Sequence, residues 1–225
     1  CNMIFFIDSA NLNEIRKINE LGIISGVTTN PSLIAKEGVS GTNSILDHYK
    51  KICNIVSGDI SAEVISTKFK DIVEEGHKLS EVDKKIVVKI PIIDDGLKAI
   101  HYFSKKKIKT NCTLVFSASQ ALLAAKSGAT YVSPFMGRLD DWDKKTCSSF
   151  EMLSDIKTIF KNYNYNTKIL GASIRNQDYI IECAKIGADV ITAPFKSLIS
   201  LIEHPLTDSG LKKFIEDYQN LNSLN

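Results

Sequence analysis

The sequence lacks several features that mark particular classes of protein. Its charges nearly balance, because 28 lysines and arginines face 26 aspartates and glutamates and leave a formal net charge of +2. A chain without a strong positive field has no electrostatic basis for binding nucleic acid or an anionic membrane. No apolar run is long enough to span a membrane, and no basic segment followed by an apolar one opens the chain as a secretion signal would. We therefore predict neither a nucleic-acid nor a membrane partner.

The sequence also lacks paired cysteines and clustered histidines. The five cysteines are odd in number, scattered and never arranged as Cys-x-x-Cys, which indicates reduced thiols in a cytoplasmic protein. The four histidines lie far apart, without metal-ligand spacing, and we interpret them as surface or helix-packing residues. We therefore predict no metal site. The cysteines are Cys1, Cys53, Cys112, Cys147 and Cys183.

Eight apolar or β-branched segments alternate with helical patterns along the whole chain. They begin near residues 4, 26, 60, 86, 109, 131, 168 and 190, and this alternation is typical of parallel βαβ units. We predict a single-domain (β/α)8 TIM barrel over residues 1–225, with an extra C-terminal helix and tail from about residue 206. Met3 is the expected natural start, which makes residues 1–2 an addition. A doubly wound open sheet is the alternative, although no Gly-x-Gly-x-x-Gly follows the first strand.

One predicted strand, KIVVKIPI at residues 85–92, contains a lysine near its carboxyl end. Its apolar, β-branched character indicates a parallel strand buried on both faces. An unpaired buried ammonium group is costly, so packing alone rarely buries a lysine. Lys89 either extends from the strand end to water or lies in a dry pocket. In the pocket, desolvation lowers a lysine's pKa and frees the neutral amine to form a Schiff base with a carbonyl.

Polar side chains stand at the carboxyl ends of most predicted strands, where a TIM barrel has its active site. Any one of them alone carries little weight, but their convergence on one rim favours a binding site. The eighth strand has no ionisable residue before Lys196. The strand-end residues are Asp8, Asn30, Glu63, Lys89, Asn111 with Thr113, Ser133 with Arg138, and Ser173 with Arg175.

Arginine is scarce in this chain, and its placement is informative. Only three arginines occur, and Arg138 and Arg175 directly follow the sixth and seventh predicted strands. The planar guanidinium group suits bidentate phosphate binding better than an ammonium group does. We therefore predict a phosphorylated substrate. The alternative is that both arginines form rim salt bridges to Asp140 and Asp141.

Two carboxylates, Asp8 and Glu63, share the predicted rim with Lys89. An ion-paired core is one interpretation, although buried ion pairs are poor stabilisers. Schiff-base chemistry is the other, because it requires this set of groups. The lysine attacks a carbonyl, one acid-base group expels water from the carbinolamine, and a second base takes a hydroxyl proton when a carbon–carbon bond breaks.

Seven motifs spread over nearly the whole chain make it resemble the transaldolase family, in the small-subunit branch that also contains fructose-6-phosphate aldolase. Small departures, such as Ser9 where the family often has threonine, affect no catalytic position. The motifs are FIDSAN at 6–11, GVTTNPSL at 26–33, VVKIP at 87–91, NCTL at 111–114, SPFMGR at 133–138, ASIR at 172–175 and HPLT at 204–207.

The resemblance implies transfer of dihydroxyacetone from a ketose phosphate (sedoheptulose 7-phosphate or fructose 6-phosphate) to an aldose phosphate (glyceraldehyde 3-phosphate or erythrose 4-phosphate), in the non-oxidative pentose phosphate pathway. It implies no metal or organic cofactor, because the imine is the electron sink. The resemblance implies that Lys89 forms the Schiff base, that Glu63 acts on the carbinolamine through a water held by Thr113, and that Asp8 is the base for the C4 hydroxyl. It also implies substrate-binding residues and phosphate ligands. The former are Asn30, Ser133, Phe135 and Ser173, and the latter are Arg138 and Arg175.

Two positions separate the branches of this family. Aldolase members typically carry glutamine at the position of Glu63 and tyrosine at that of Phe135, so this chain has the transaldolase pattern. The alternatives are a fructose-6-phosphate aldolase that releases free dihydroxyacetone and a non-catalytic sugar-phosphate-binding barrel. The intact Asp8, Glu63 and Lys89 argue against the second. The resemblance also implies a homo-oligomer, a pentamer or a decamer, with the C-terminal helix packed on a neighbour.

Overall fold

The computed structural model describes residues 2–142 and 149–222 and shows a closed barrel of eight parallel strands. Each strand pairs with the next, and the last closes the ring when Ile4–Ile7 pair with Val190–Ala193. The predicted (β/α)8 barrel is confirmed, and the doubly wound alternative is wrong. The strands are β1 (Ile4–Asp8), β2 (Gly26–Thr28), β3 (Asp59–Glu63), β4 (Ile86–Pro91), β5 (Thr110–Val115), β6 (Tyr131–Pro134), β7 (Lys168–Gly171) and β8 (Val190–Ala193).

Helices surround the barrel, and apart from α11, whose residues are almost all exposed, they bury apolar residues. Local signals set several of their ends: the Ser117 side chain accepts a hydrogen bond from the backbone of Gln120, as a capping serine does. The helices are α1 (Leu12–Glu20), α2 (Pro31–Lys36), α3 (Thr42–Ile55), α4 (Phe69–Ser80), α5 (Asp94–Lys105), α6 (Ala118–Lys126), α7 (Met136–Trp142), α8 (Ser149–Asn162), α9 (Gln177–Ile186), α10 (Phe195–Ile199) and α11 (Pro205–Asn222).

Two local predictions from the sequence are wrong. The sequence pattern predicts a loop after the sixth strand, but α7 begins directly after β6; a helix of seven residues is too short to show a clear apolar period. The asparagine-rich sequence after Tyr218 predicts a frayed tail, whereas α11 continues to Asn222, the last residue that the structure describes. The sequence pattern predicts that the next helix starts at about Cys147, which, like Cys1, lies outside the described residues.

Side chains seal the amino end of the barrel. The Asp59 carboxylate accepts a hydrogen bond from the Tyr131 hydroxyl at 2.7 Å and pairs with the Lys109 ammonium at 2.6 Å. The Phe6 ring packs against that of Tyr131, with centroids 6.1 Å apart. Lys168 covers the other side, its Nζ 5.7 Å from the Tyr131 ring centroid. The cavity described below therefore opens at the carboxyl end.

Strand β5 is irregular beside the strand that carries Lys89. Its register with β6 shifts between Cys112 and Val115, and Leu114 has a φ of +59°. A positive φ is uncommon for a residue with a Cβ atom, and bulges of this kind often re-aim side chains beside active sites. The bulge directly follows Thr113, so it sets where that side chain can point.

Candidate active site

A cavity of about 320 Å³ lies at the carboxyl end of the barrel. All of the predicted site residues except Glu63 and Thr113 line it, and those two lie on the neighbouring strands β3 and β5. The lining residues that we predicted are Asp8, Asn30, Lys89, Ser133, Phe135, Arg138, Ser173 and Arg175.

Lys89 is buried, with only 5% of its surface exposed, so its amine does not extend to bulk water. Its Nζ lies 3.0 Å from Glu63 Oε2 and donates a hydrogen bond to the Thr29 carbonyl oxygen at 2.9 Å. The register of β3 and β4 places Glu63 directly beside Lys89. The amine is therefore held at the cavity wall with a carboxylate in position to exchange protons with it.

Thr113 supplies a buried hydroxyl on the strand that pairs with the strand of Lys89. It lies on β5 opposite Pro91, two residues beyond Lys89. Its Oγ1 is buried and has no hydrogen-bond partner in the part of the chain that the structure describes. A buried hydroxyl without a partner is costly. Thr113 is therefore suited to bind a polar atom of a ligand or solvent molecule.

Asp8 lies at the end of β1 and is held by Thr28 of β2, which in turn contacts Thr192 of β8. Its Oδ1 accepts a hydrogen bond from the Thr28 hydroxyl at 2.8 Å, and the Thr28 and Thr192 hydroxyls are 2.6 Å apart. Burial raises the pKa of the Asp8 carboxyl above its ordinary value, while the Lys89 charge and the Thr28 hydrogen bond offset part of this rise. A carboxylate of raised pKa is a better general base near neutrality.

A buried chain of hydrogen bonds fixes Ser133. Its hydroxyl donates to Asn111 Oδ1 at 2.7 Å, and Asn111 Nδ2 donates to the Ser61 hydroxyl at 3.1 Å. Asn111 was recognised only as a strand-end residue, without an assigned role. The chain of contacts runs from β3 through β5 to β6, so it holds three strand ends in fixed relative positions.

Asn30 and Ser173 both have structural contacts in addition to facing the cavity. Asn30 Oδ1 caps α2 by accepting the backbone N–H of Leu33 at 2.9 Å. Ser173 has a φ of +57°, and its hydroxyl accepts the backbone N–H of Arg138 at 3.2 Å. Strained backbone of this kind is concentrated at functional sites. The two side chains are therefore held at fixed positions on the cavity wall.

The two arginines have different surroundings at the mouth of the cavity. Arg138 lies over the Phe135 ring, its guanidinium carbon 5.2 Å from the centroid. Arg175 pairs with Asp141, so the rim salt bridge considered as an alternative does form there. Asp140 instead accepts hydrogen bonds from α8 and α9. Both arginines nevertheless line the cavity, where they give its mouth a positive character.

Several residues of this site carried no clear signal in the sequence. Thr28, Thr192 and Lys36 also line the cavity. Threonines at strand ends are common, and only closure of the barrel brings β2 and β8 to either side of β1. Lys36 could have been found from its place in the helix that follows β2.

Within residues 2–142 and 149–222, no group of three or more histidine, cysteine, aspartate or glutamate side chains could hold a metal ion. None of the described helices is both long and apolar enough to cross a membrane.

Comparisons with known proteins agree with this geometry. Residues 5–224 match the family described as "Transaldolase/Fructose-6-phosphate aldolase". A "Probable transaldolase" of Cytophaga hutchinsonii is 60% identical over 220 residues, which cover 98% of this chain and 100% of that protein. A protein with the same name from Bacteroides thetaiotaomicron is 56% identical over 98% of this chain and 100% of its own. One from Porphyromonas gingivalis is 52% identical over 98% and 99%. The chain therefore belongs to the transaldolase/fructose-6-phosphate aldolase family.

Proposed function

We propose that this protein is a transaldolase that moves a dihydroxyacetone unit from a ketose phosphate to an aldose phosphate through a Schiff base on Lys89. The observation that carries the proposal is the buried Lys89 amine, 3.0 Å from the Glu63 carboxylate, in a cavity that Asp8 also lines. The relatives named probable transaldolases support the same activity.

In the proposed first half-reaction, the Lys89 ammonium gives a proton to Glu63, and the neutral amine attacks the C2 carbonyl of the donor. Glu63 acts through a water that Thr113 holds, and the two exchange protons with the carbinolamine. The C2 oxygen then leaves as water, and an imine remains. Asp8 takes the proton from the C4 hydroxyl while the C3–C4 bond breaks. The aldose phosphate leaves, and the electron pair of the broken bond remains in the enamine.

In the proposed second half-reaction, the enamine carbon attacks the aldehyde of the acceptor. The new hydroxyl takes the proton that Asp8 holds, and hydrolysis of the imine releases the product ketose and the free lysine. Arg138 and Arg175 bind the phosphate of donor and acceptor in turn, while Asn30, Ser133 and Ser173 bind hydroxyls. The sequence of steps needs no oxidant, reductant or added cofactor.

The aldolase alternative depends on what protonates the enamine. Release of free dihydroxyacetone requires a proton at the enamine carbon, and Phe135 lines the cavity without a hydroxyl to support a donor. The Phe135 ring contacts the Phe116 ring and the Arg138 guanidinium group. Wild-type protein should therefore transfer dihydroxyacetone to erythrose 4-phosphate and release little of it free.

Phe135→Tyr should raise the release of free dihydroxyacetone from fructose 6-phosphate and lower transfer, because it adds a hydroxyl at the cavity wall. The measurement is a coupled assay of both products on wild type and variant at equal concentration. Tyr165→Phe, far from the cavity lining, is the control for an aromatic exchange. If wild type releases dihydroxyacetone as fast as it transfers it, the aldolase alternative is correct. A non-catalytic barrel would give neither product.

We further propose that the protein is a homo-oligomer, a pentamer or a decamer, which works in the cytoplasm. Free, buried cysteines at positions 53, 112 and 183 are compatible with a reducing compartment. Helix α11 carries an exposed apolar stripe at helical spacing, which favours contact with a neighbouring copy. The stripe consists of Leu211, Phe214, Ile215, Tyr218 and Leu221.

Phe214→Glu should therefore reduce the molar mass measured by light scattering after size-exclusion chromatography. A carboxylate in the middle of an apolar contact is costly to bury. Lys213→Glu, on the opposite side of α11, makes a larger change in charge and should leave the mass unchanged. A monomeric wild type, or equal masses for wild type and Phe214→Glu, would refute the proposed role of α11.

A further inference from the structure

We propose that Gly137 and Asp141 are positioning residues that hold the Arg175 side chain along α7, in the orientation that binds the substrate phosphate. This inference rests on the proposed function, since it concerns the phosphate end of that site. Gly137 and Asp141 stand four residues apart on α7 and therefore on one face of this helix. Arg175 crosses that face from the segment that follows β7.

Gly137 provides the space that the arginine occupies. A Cβ atom built on Gly137 would stand 2.6 Å from Arg175 Nε and 2.7 Å from Arg175 Cγ. It would also stand 2.5 Å from the Ser173 carbonyl oxygen, which accepts the backbone N–H of Gly137 at 2.9 Å. Real Cβ atoms essentially never approach so closely. Any other residue at this position would displace the middle of the Arg175 side chain.

Asp141 provides the anchor at the far end. Its Oδ2 accepts a hydrogen bond from Arg175 Nη2. Both side chains are exposed, and an exposed ion pair contributes little to folding stability. A guanidinium group has five N–H donors, and this contact uses one terminal nitrogen. The pair therefore orients Arg175 while leaving donors for a phosphate, rather than occupying the group completely.

Contacts of neighbouring residues hold the platform itself. Asp140 accepts hydrogen bonds from the Ser149 hydroxyl at 2.9 Å and from the Tyr179 hydroxyl at 2.7 Å, which tie α7 to α8 and α9. Ser173, at a φ of +57°, ties the end of β7 to α7 through its carbonyl oxygen. The segment that carries Arg175 and the guanidinium end of its side chain are therefore both attached to α7.

The test is the KM of Asp141→Asn for fructose 6-phosphate and for unphosphorylated fructose. We expect the KM for the phosphorylated donor to rise about three- to ten-fold, as is typical of coupled contacts, with kcat nearly unchanged. The KM for fructose should not change. Asp141→Glu, which keeps the charge, should restore part of the loss. Asp178→Asn, at the start of the nearby α9, removes the same charge without contacting Arg175 and serves as the control.

A double-mutant cycle separates positioning of Arg175 from a general effect of charge. In an Arg175→Ala background, Asp141→Asn should have no further effect on KM. An effect of Asp141→Asn that persists in the Arg175→Ala background would overturn the inference. An unchanged KM in Asp141→Asn alone would also overturn it. So would a lower KM, which would mean that Asp141 competes with phosphate. Gly137→Ala should also raise KM, but the inference does not depend on its folding.

Failure of the proposed function can be told apart from failure of this inference. If wild type catalyses neither transfer nor cleavage, the proposed function fails. The same variants can then be compared by isothermal titration with inorganic phosphate. Weaker phosphate binding by Asp141→Asn than by wild type and Asp178→Asn would still support the positioning role, and equal binding would refute it.

Discussion

Lys89→Met should abolish both turnover and reductive labelling. With fructose 6-phosphate and borohydride, wild-type protein should gain an adduct on the peptide that contains Lys89. Methionine has similar length but no amine, so no imine can form. The measurement is peptide mass spectrometry together with the rate of transfer to erythrose 4-phosphate. Lys196→Met, an exposed residue on α10, should keep both labelling and activity.

A second variant is needed to control for folding, because Lys89→Met leaves the Glu63 carboxylate without its ion-pair partner. Removing one member of a buried pair typically costs about 3–5 kcal/mol of folding stability. Lys89→Met combined with Glu63→Gln removes the unpaired charge and should keep the barrel folded, as circular dichroism would show. Labelling of another lysine, or activity in either variant, would contradict the assignment of Lys89.

Asp8→Asn should separate imine formation from carbon–carbon cleavage. The asparagine Oδ1 can still accept the Thr28 hydrogen bond, so the local geometry is preserved, but the base is lost. We expect turnover to fall about 10²- to 10⁴-fold, the usual contribution of a positioned base. Borohydride should then trap the intact six-carbon sugar phosphate on Lys89. A three-carbon adduct formed at the wild-type rate would show that another group takes the C4 hydroxyl proton.

The pH dependence of cleavage provides a second readout on Asp8. Burial raises the pKa of its carboxyl above the ordinary value near 3.8. Asp8 acts as a base only when it is deprotonated, so the rate of cleavage should fall as the pH decreases through this raised pKa. Thr28→Val removes a hydrogen bond that lowers the pKa and should move the acid limb to higher pH. An unmoved limb would mean that a different group titrates.

The barrel and its lysine could be predicted because their signals are local. The β-branched run around Lys89 and the polar residues after successive strands are visible in short windows of sequence. Parallel strands then bring their carboxyl ends to one rim without further information. The same reasoning predicted that Asp8, Asn30 and Ser173 face one cavity. In the structure all three line that cavity.

Contacts between distant residues could not be predicted in this way. Thr28 and Thr192 are 164 positions apart and meet only because β1 lies between β2 and β8 in the closed barrel. The bulge at Leu114 uses no glycine or asparagine, so the sequence has no sign of its positive φ. Asp141 was considered only as a structural partner of an arginine. The structure shows that Asp141 and Gly137 lie on one face of α7, a helix that the sequence did not predict.

The sealed amino end of the barrel has a consequence for the order of events. Phe6, Tyr131 and the Asp59–Lys109 pair close that end, so in the described residues the cavity opens at the carboxyl end. In the proposed reaction, the aldehyde product and the aldehyde acceptor therefore pass through the same opening. We therefore expect an excess of either aldehyde to compete with the other sugar for entry. In the proposed mechanism, the covalent intermediate on Lys89 therefore stands at the inner end of a passage with one entrance.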